Sequence, residues 1–67
     1  MKIFVEAFKK SISELEGEIL NLELQKEFES EDEAIEYANS IKENYDLVRI
    51  HYCRHDENKP CEIKIIK

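Results

Sequence analysis

Apolar and polar residues alternate with a period of two in four separate stretches of the chain, and this pattern constrains the fold more than any other. The stretches are residues 2–10, 18–29, 47–55 and 61–67. Successive side chains of a β-strand point to opposite faces of the sheet, so this alternation is typical of strands with one buried face. The sequence therefore predicts four β-strands.

One helix is predicted between the second and third strands. Ser30 is followed by Glu33 in the spacing of a capping box, and the intervening acids favour the positive end of the helix dipole. An apolar stripe suited to packing on a sheet follows: Ala34, Ala38, Ile41 and Tyr45. We predict a single α+β domain, residues 1–67, of ββαββ layout. Its four-stranded antiparallel sheet has the order 2-1-3-4, with the helix on one face.

The alternation also predicts which side chains of the second and fourth strands lie under the helix. In the second strand these are Leu20, Leu22 and Leu24. In the fourth strand they are Cys61, Ile63 and Ile65. The register should place Ile63 opposite Tyr52 and Ile65 opposite Ile50, because a shift of one residue would expose the apolar side of the strand.

The two cysteines are predicted to face opposite sides of the sheet. Cys53 alternates outward and Cys61 inward, which argues against a disulfide between them. The chain carries no recognisable export signal, so we expect a cytoplasmic protein whose thiols stay reduced.

The sheet face away from the helix is predicted to be partly apolar. A chain of 67 residues has a thin core, and small monomers rarely expose large contiguous apolar patches. We therefore expect self-association, as a homodimer, through this face; the alternative is a set of scattered surface hydrophobics. The residues predicted to form the contact are Phe4, Phe8, Ile19, Leu47 and Ile66.

Negative charge is concentrated in the middle of the chain. The formal net charge is −6, and residues 14–43 alone carry 11 acids against two lysines. Such a field repels nucleic acid and anionic lipid and attracts basic surfaces, so we predict a basic protein partner and no direct contact with nucleic acid or membrane. The alternative is a face that only aids solubility. The partner-binding residues are predicted to be Glu23, Glu27, Glu29, Glu31, Asp32, Glu33 and Glu36.

No catalytic motif is recognisable, and we predict neither enzymatic activity nor a cofactor. The single glycine, Gly17, excludes a glycine-rich phosphate loop. His51, Cys53 and His55 are zinc-type ligands, but neighbours on one strand face lie roughly 6.5–7 Å apart and do not readily converge on one metal ion. The alternative functions are a regulatory or metal-responsive module that uses these three residues and a structural homodimer of unknown role, and no metal site is predicted.

An RNA-binding platform is a further alternative. Its aromatic and basic residues would be Phe4, Phe8, Arg49 and His51, all on the face away from the helix. The signature segments of RNA-recognition domains are missing, and ten basic residues stand against sixteen acids, so a protein partner is favoured.

The segment from Phe28 to Ala38 joins a strand ending in phenylalanine to a capped helix of the form S-x-x-E-A. In this it resembles many small proteins of phages and mobile elements, among them anti-CRISPR and other anti-defence inhibitors of ββαββ layout. The resemblance implies a non-enzymatic inhibitor that occupies a basic surface of a host complex, in a bacterial or phage-infected cytoplasm. It assigns no functional residue.

Overall fold

The computed structural model describes residues 2–54 and 57–67. Its elements, in chain order, are β1 (Lys2–Ser13), β2 (Gly17–Phe28), α1 (Glu31–Ile41), a short 3-10 helix (Lys42–Asn44), β3 (Leu47–Cys53) and β4 (Glu62–Ile65). The strands form one antiparallel sheet in the order β2-β1-β3-β4, and α1 packs on one face of it. The predicted ββαββ layout and strand order are confirmed.

The core lies between α1 and the two central strands. Val5 pairs with Ile50, and Ala7 with Val48, at the middle of the β1–β3 ladder, and all four side chains are fully buried. Ala34 and Ala38 of α1 are also fully buried, and their short side chains let the helix lie close to the sheet. At the start of α1 the Oγ of Ser30 accepts a hydrogen bond of 3.2 Å from the backbone N–H of Glu33, as the capping pattern predicts.

A β-bulge in β2 changes the alternation of that strand. Ala7 pairs with Leu24 but Phe8 pairs with Leu22, so Glu23 is an extra residue in the ladder. Paired residues share a face, so Leu24 lies on the helix side whereas Leu22 lies on the opposite side. The prediction is thus right for Leu24, which packs against the core, and wrong for Leu20 and Leu22, which are 46% and 50% exposed.

The register between β3 and β4 differs by one residue from the predicted one. Ile63 lies opposite His51, and Ile65 opposite Arg49. The predicted partners Tyr52 and Ile50 instead face Glu62 and Lys64 across the ladder. Both isoleucines therefore point away from the helix, and the prediction that they face inward is wrong.

The physical reason is that α1 packs over the central strands and leaves the edge strand exposed. All four residues of β4 are exposed, so burial does not fix its register. The chain just after β4 supplies the inward contact instead, since Ile66 packs on the core and donates a backbone hydrogen bond of 2.9 Å to Val48.

The hairpin of β1 and β2 extends beyond the rest of the sheet. β3 pairs with β1 only from Lys2 to Phe8, so residues 9–21 form a two-stranded arm. At its tip the Oγ of Ser13 accepts from the backbone N–H groups of Leu15 and Glu16, and Gly17 supplies the left-handed φ of 76° that closes the turn. The molecule measures 42 × 27 × 15 Å as a result.

The register of β4 yields the first prediction. Residue pairs that lack mutual backbone hydrogen bonds bring their α-carbons closest in an antiparallel ladder. We expect strong Hα–Hα nuclear Overhauser effects between Arg49 and Ile65 and between His51 and Ile63 in the NMR spectrum. Corresponding contacts of Tyr52 with Ile63 would instead support the register expected from alternation and would contradict the structure.

Candidate functional site: the uncovered sheet face

The sheet face opposite α1 is the main candidate surface, and we call it the uncovered face. The pairing registers place on it every second residue of β1 from Lys2, with the residues opposite them. Eight of its side chains are large and apolar: Phe4, Phe8, Ile12, Leu20, Leu22, Leu47, Ile63 and Ile65.

The arm extends this apolar surface. Ile12, Leu20 and Leu22 lie on its uncovered side. The opposite side of the arm is more polar, with a hydrogen bond of 2.8 Å from the Nδ2 of Asn21 to the Oγ of Ser11. An isolated two-stranded hairpin is only marginally stable in water, so an apolar side left open on such an arm points to further packing.

Three of the five residues predicted from sequence to form a self-association contact share the uncovered face, and the contact itself stays a prediction. Phe4, Phe8 and Leu47 lie on the uncovered face. Ile19 does not, because the bulge reverses the alternation of β2 and places it opposite Ser11 on the other side. Ile66 does not either, because it packs on the helix-side core.

A buried carboxylate lies at the centre of the uncovered face. Glu6 is only 5% exposed although no helix covers it. Its Oε1 accepts from the Nε of Arg49 at 2.7 Å, and its Oε2 accepts from the Nε2 of Gln25 at 2.8 Å. The Nδ1 of His51 lies 3.6 Å from the same Oε2. Burial alone would raise the pKa of Glu6, but these hydrogen bonds and the charges of Arg49 and His51 lower it overall.

Aromatic rings flank this polar cluster on both sides. The guanidinium of Arg49 lies 4.9 Å from the centre of the Phe8 ring, a cation–π contact. The rings of Phe4 and His51 have their centres 6.2 Å apart. Because each polar group is held by a neighbour, the middle of the uncovered face is a pre-arranged surface of apolar side chains around a satisfied ion pair.

Charges on the uncovered face cancel. Lys2, Lys10 and Arg49 balance Glu6, Glu18 and Glu27. Lys10 and Glu18 also form an ion pair, with 3.1 Å between Nζ and Oε1. The net charge of −6 therefore belongs to the rest of the molecule.

The acidic residues predicted to bind a partner do not form one surface. Glu27 lies on the uncovered face and Glu23 in the bulge, whereas the others surround the start of α1. The carboxylate of Glu31 is hydrogen-bonded to the hydroxyl of the buried Tyr52, so it also holds the helix on the sheet. Burial and this carboxylate raise the pKa of Tyr52.

The acidic residues around the start of α1 form what we call the acidic region: Glu29, Glu31, Asp32, Glu33 and Glu36. A shallow depression lies beside α1 within this region. Two carboxylates and two aromatic rings line it, with Ser40: Phe28, Glu33, Glu36, Tyr37 and Ser40. The two rings have their centres 5.2 Å apart, and the ammonium of Lys26 lies 4.8 Å from Tyr37 and 5.4 Å from Phe28. The two rings that line the depression thus already contact one cation of the chain itself.

The two cysteines lie close together, which sequence reasoning missed. The Cys61 thiol is hydrogen-bonded to the side chains of Cys53 and His51, and no disulfide joins the two cysteines. The prediction that they face opposite sides is wrong, because it used the β4 register that the structure corrects. The signal in the sequence was the spacing of eight residues, which places Cys61 opposite Cys53 when the observed register is continued one step beyond β4.

The part of the chain that the structure describes holds no group of three or more His, Cys, Asp or Glu side chains arranged for a metal ion. His55 lies outside the described residues, so the alternative of a module using His51, Cys53 and His55 stays a prediction.

Within residues 2–54 and 57–67, no helix is both long and apolar enough to cross a bilayer. Comparison with protein-family models, with curated proteins and with solved structures gave no match.

The second prediction concerns Glu6. Its lowered pKa means that the carboxylate stabilises the fold at pH values above its ordinary pKa of 4.5 and that this contribution is lost as the pH falls through the lower folded value. We expect Glu6→Gln to reduce the free energy of unfolding by about 2 kcal/mol at pH 7, since it leaves Arg49 without its anion. Below pH 4.5 the difference from the natural protein should shrink.

Urea unfolding followed by circular dichroism at pH 7 and at pH 3 measures both effects. Glu18→Gln is the matched control, because it removes an equal charge from an exposed pair on the same face and should change stability little. Equal effects of the two substitutions would contradict a structural role for Glu6.

Proposed function

We propose that this chain is a small, non-enzymatic protein–protein interaction domain that forms a homodimer by packing two uncovered faces together. The observation that supports this most is the set of eight large apolar side chains on a face whose charges cancel. Four of these side chains are about half exposed: Leu20, Leu22, Ile63 and Ile65. A single helix–sheet layer with such a face is half of a sandwich, and a second sheet packed about 10 Å away would complete it.

The size of the uncovered face suits a second copy of the chain. The two longer dimensions of the molecule, 42 and 27 Å, define a rectangle of about 1,100 Å², which is an upper limit for the area of this face. A standard protein interface buries about 800 Å² on each partner. This limit leaves room for a stable dimer without contribution from other surfaces.

Electrostatics favours self-association through this face over pairing of two β2 edges. A chain of net charge −6 repels its own copy, and this cost is smallest where the contacting surfaces are neutral. β2, at one edge, carries Glu18, Glu23 and Glu27, and like charges along an edge strand oppose pairing with another edge.

The RNA platform is less well supported by the same geometry. Arg49 donates its hydrogen bond to Glu6 and stacks on Phe8, so its charge is already neutralised within the face. A surface with balanced charge offers little attraction for a phosphate backbone.

The third prediction tests the dimer. Leu22→Glu should raise the dissociation constant by about 100-fold, because the dimer would bury one unpaired charge in each copy. Sedimentation velocity over a range of concentrations measures this. Ile19→Glu is the matched control: it introduces the same charge three residues away on the opposite side of the arm and should leave the dimer intact.

Two results would oppose the proposal. A natural protein that is monomeric at tens of micromolar would contradict a homodimer, and weakening by Ile19→Glu alone would place the contact on the other face. The circular dichroism spectrum of each variant shows whether it is folded.

A second proposed function is the capture of a basic partner by the acidic region around α1. The depression lined by Glu33, Glu36, Phe28 and Tyr37 favours it, because two carboxylates lie there beside two aromatic rings, and both kinds of group attract a lysine or arginine side chain. The more specific version, an inhibitor from a phage or mobile element that binds a basic surface of a host defence complex, stays a prediction based on the resemblance of the Phe28–Ala38 segment.

The fourth prediction addresses this acidic region. Glu33→Gln with Glu36→Gln should weaken binding of a labelled oligolysine peptide by about fivefold, since exposed ion pairs contribute about 0.5 kcal/mol each. Fluorescence anisotropy at low ionic strength measures it. Glu14→Gln with Glu16→Gln removes the same charge at the arm tip and should have a smaller effect. Equal weakening by both pairs would show that only net charge matters and would contradict a localised site.

A further inference from the structure

The register of β3 and β4, continued one step beyond β4, places Cys53 opposite Cys61. The ladder pairs His51 with Ile63 and Tyr52 with Glu62, and one further step in the same register pairs the two cysteines. Both therefore lie on the uncovered face, at the end remote from the arm.

The position of this pair in the ladder suits a covalent link. Ile66 donates its backbone N–H to the Val48 carbonyl, which marks that pair as a hydrogen-bonded one. Hydrogen-bonded and non-hydrogen-bonded pairs alternate along an antiparallel ladder, so continuing the ladder to the cysteines, five steps further, puts them at a non-hydrogen-bonded position. Cα atoms in such pairs are about 4.5 Å apart, within the range of about 4.4–6.8 Å that disulfides span.

The surroundings of Cys61 make it the better nucleophile of the two. Its thiol receives hydrogen bonds from the His51 side chain, the Arg54 backbone N–H and the Cys53 side chain, and these lower the pKa of Cys61. His51 in turn lies beside the buried carboxylate of Glu6, with 3.6 Å between its Nδ1 and the Oε2 of Glu6. Both cysteines are partly exposed, so a small oxidant can reach them.

We propose that Cys53 and Cys61 form a site of reversible oxidation, in which a low-molecular-weight disulfide of the glutathione type converts the two thiols into one cross-strand disulfide. The bond forms within one chain and does not require the proposed dimer.

The exchange proceeds in two balanced steps. The Cys61 thiolate attacks one sulfur of oxidised glutathione, which breaks the S–S bond, releases one glutathione thiolate and leaves a mixed disulfide on Cys61. The Cys53 thiolate then attacks the Cys61 sulfur and releases the second glutathione thiolate. The two protein thiols lose two electrons and two protons overall, and one oxidised glutathione becomes two reduced glutathione molecules.

The bond would fasten β4 to the sheet. All four residues of β4 are exposed, and it lies at the edge of the sheet, so its pairing with β3 is only weakly supported by burial. A disulfide at one end of the β3–β4 ladder restricts the separation of the two strands. The redox state of the two cysteines would thereby control how firmly β4 is held on the sheet. This strand presents Ile63 and Ile65 on the uncovered face.

The fifth prediction is tested on the full chain, reduced, freed of metal with EDTA and mixed at low micromolar concentration with excess oxidised glutathione. Mass spectrometry after acid quenching should show loss of two hydrogens and no retained glutathione. Cys53→Ser should keep one glutathione on Cys61, whereas Cys61→Ser should react at Cys53 about tenfold more slowly. In the oxidised protein, hydrogen exchange of the β4 amides should be about tenfold slower.

Three results would overturn the proposal: a natural protein that stays reduced, one that accumulates glutathione on both cysteines, or one that forms only disulfide-linked dimers. Faster reaction of Cys53 than of Cys61 would overturn the order of attack. Amide NMR spectra of both serine variants establish that they are folded before their rates are compared.

Discussion

One helix has to cover a four-stranded sheet, and it is too short to do so. α1 has 11 residues and is therefore about 16 Å long, whereas the molecule extends over 42 Å. The helix packs over the central strands, where the fully buried side chains of Val5 and Ile50 lie. Apolar side chains elsewhere in the sheet would not be covered by α1 on the helix side, and the structure places most of them on the other face. This shortage of cover underlies both departures from simple alternation.

The bulge at Glu23 is the clearest consequence. With regular pairing, Leu20 and Leu22 would face the helix side of the arm, where no helix reaches. The extra residue turns both leucines to the side that also carries Phe8 and Ile12. A local irregularity in the ladder thus collects four apolar side chains on one surface. The register of β4 has the same effect, because it brings Ile63 and Ile65 onto that surface while Ile66 reaches the core.

The central part of the fold could be predicted from sequence because its signals are local and redundant. Ser30 with Glu33 defines the helix start. The alternation of β1 and β3 agrees with the observed burial of every second apolar residue, from Ile3 to Ala7 in β1 and from Val48 to Tyr52 in β3. The bulge has no comparable signature, and a register error of one residue inverts every side chain of a strand. The central carboxylate was missed for a different reason: Glu6 and its partner Arg49 are 43 residues apart, so their ion pair exists only in the folded sheet.

The distribution of charge links the two proposed surfaces. Because the uncovered face is neutral, a dimer formed through it would leave the acidic region of each copy on the outside, around the exposed start of α1. Such a dimer presents two identical acidic regions on opposite outer layers of the sandwich. A partner with basic sites at the matching separation would then bind both, and the second contact would form at a high effective concentration. Weak individual ion pairs would suffice for firm attachment under these conditions, which the monomer, with one acidic region, does not provide.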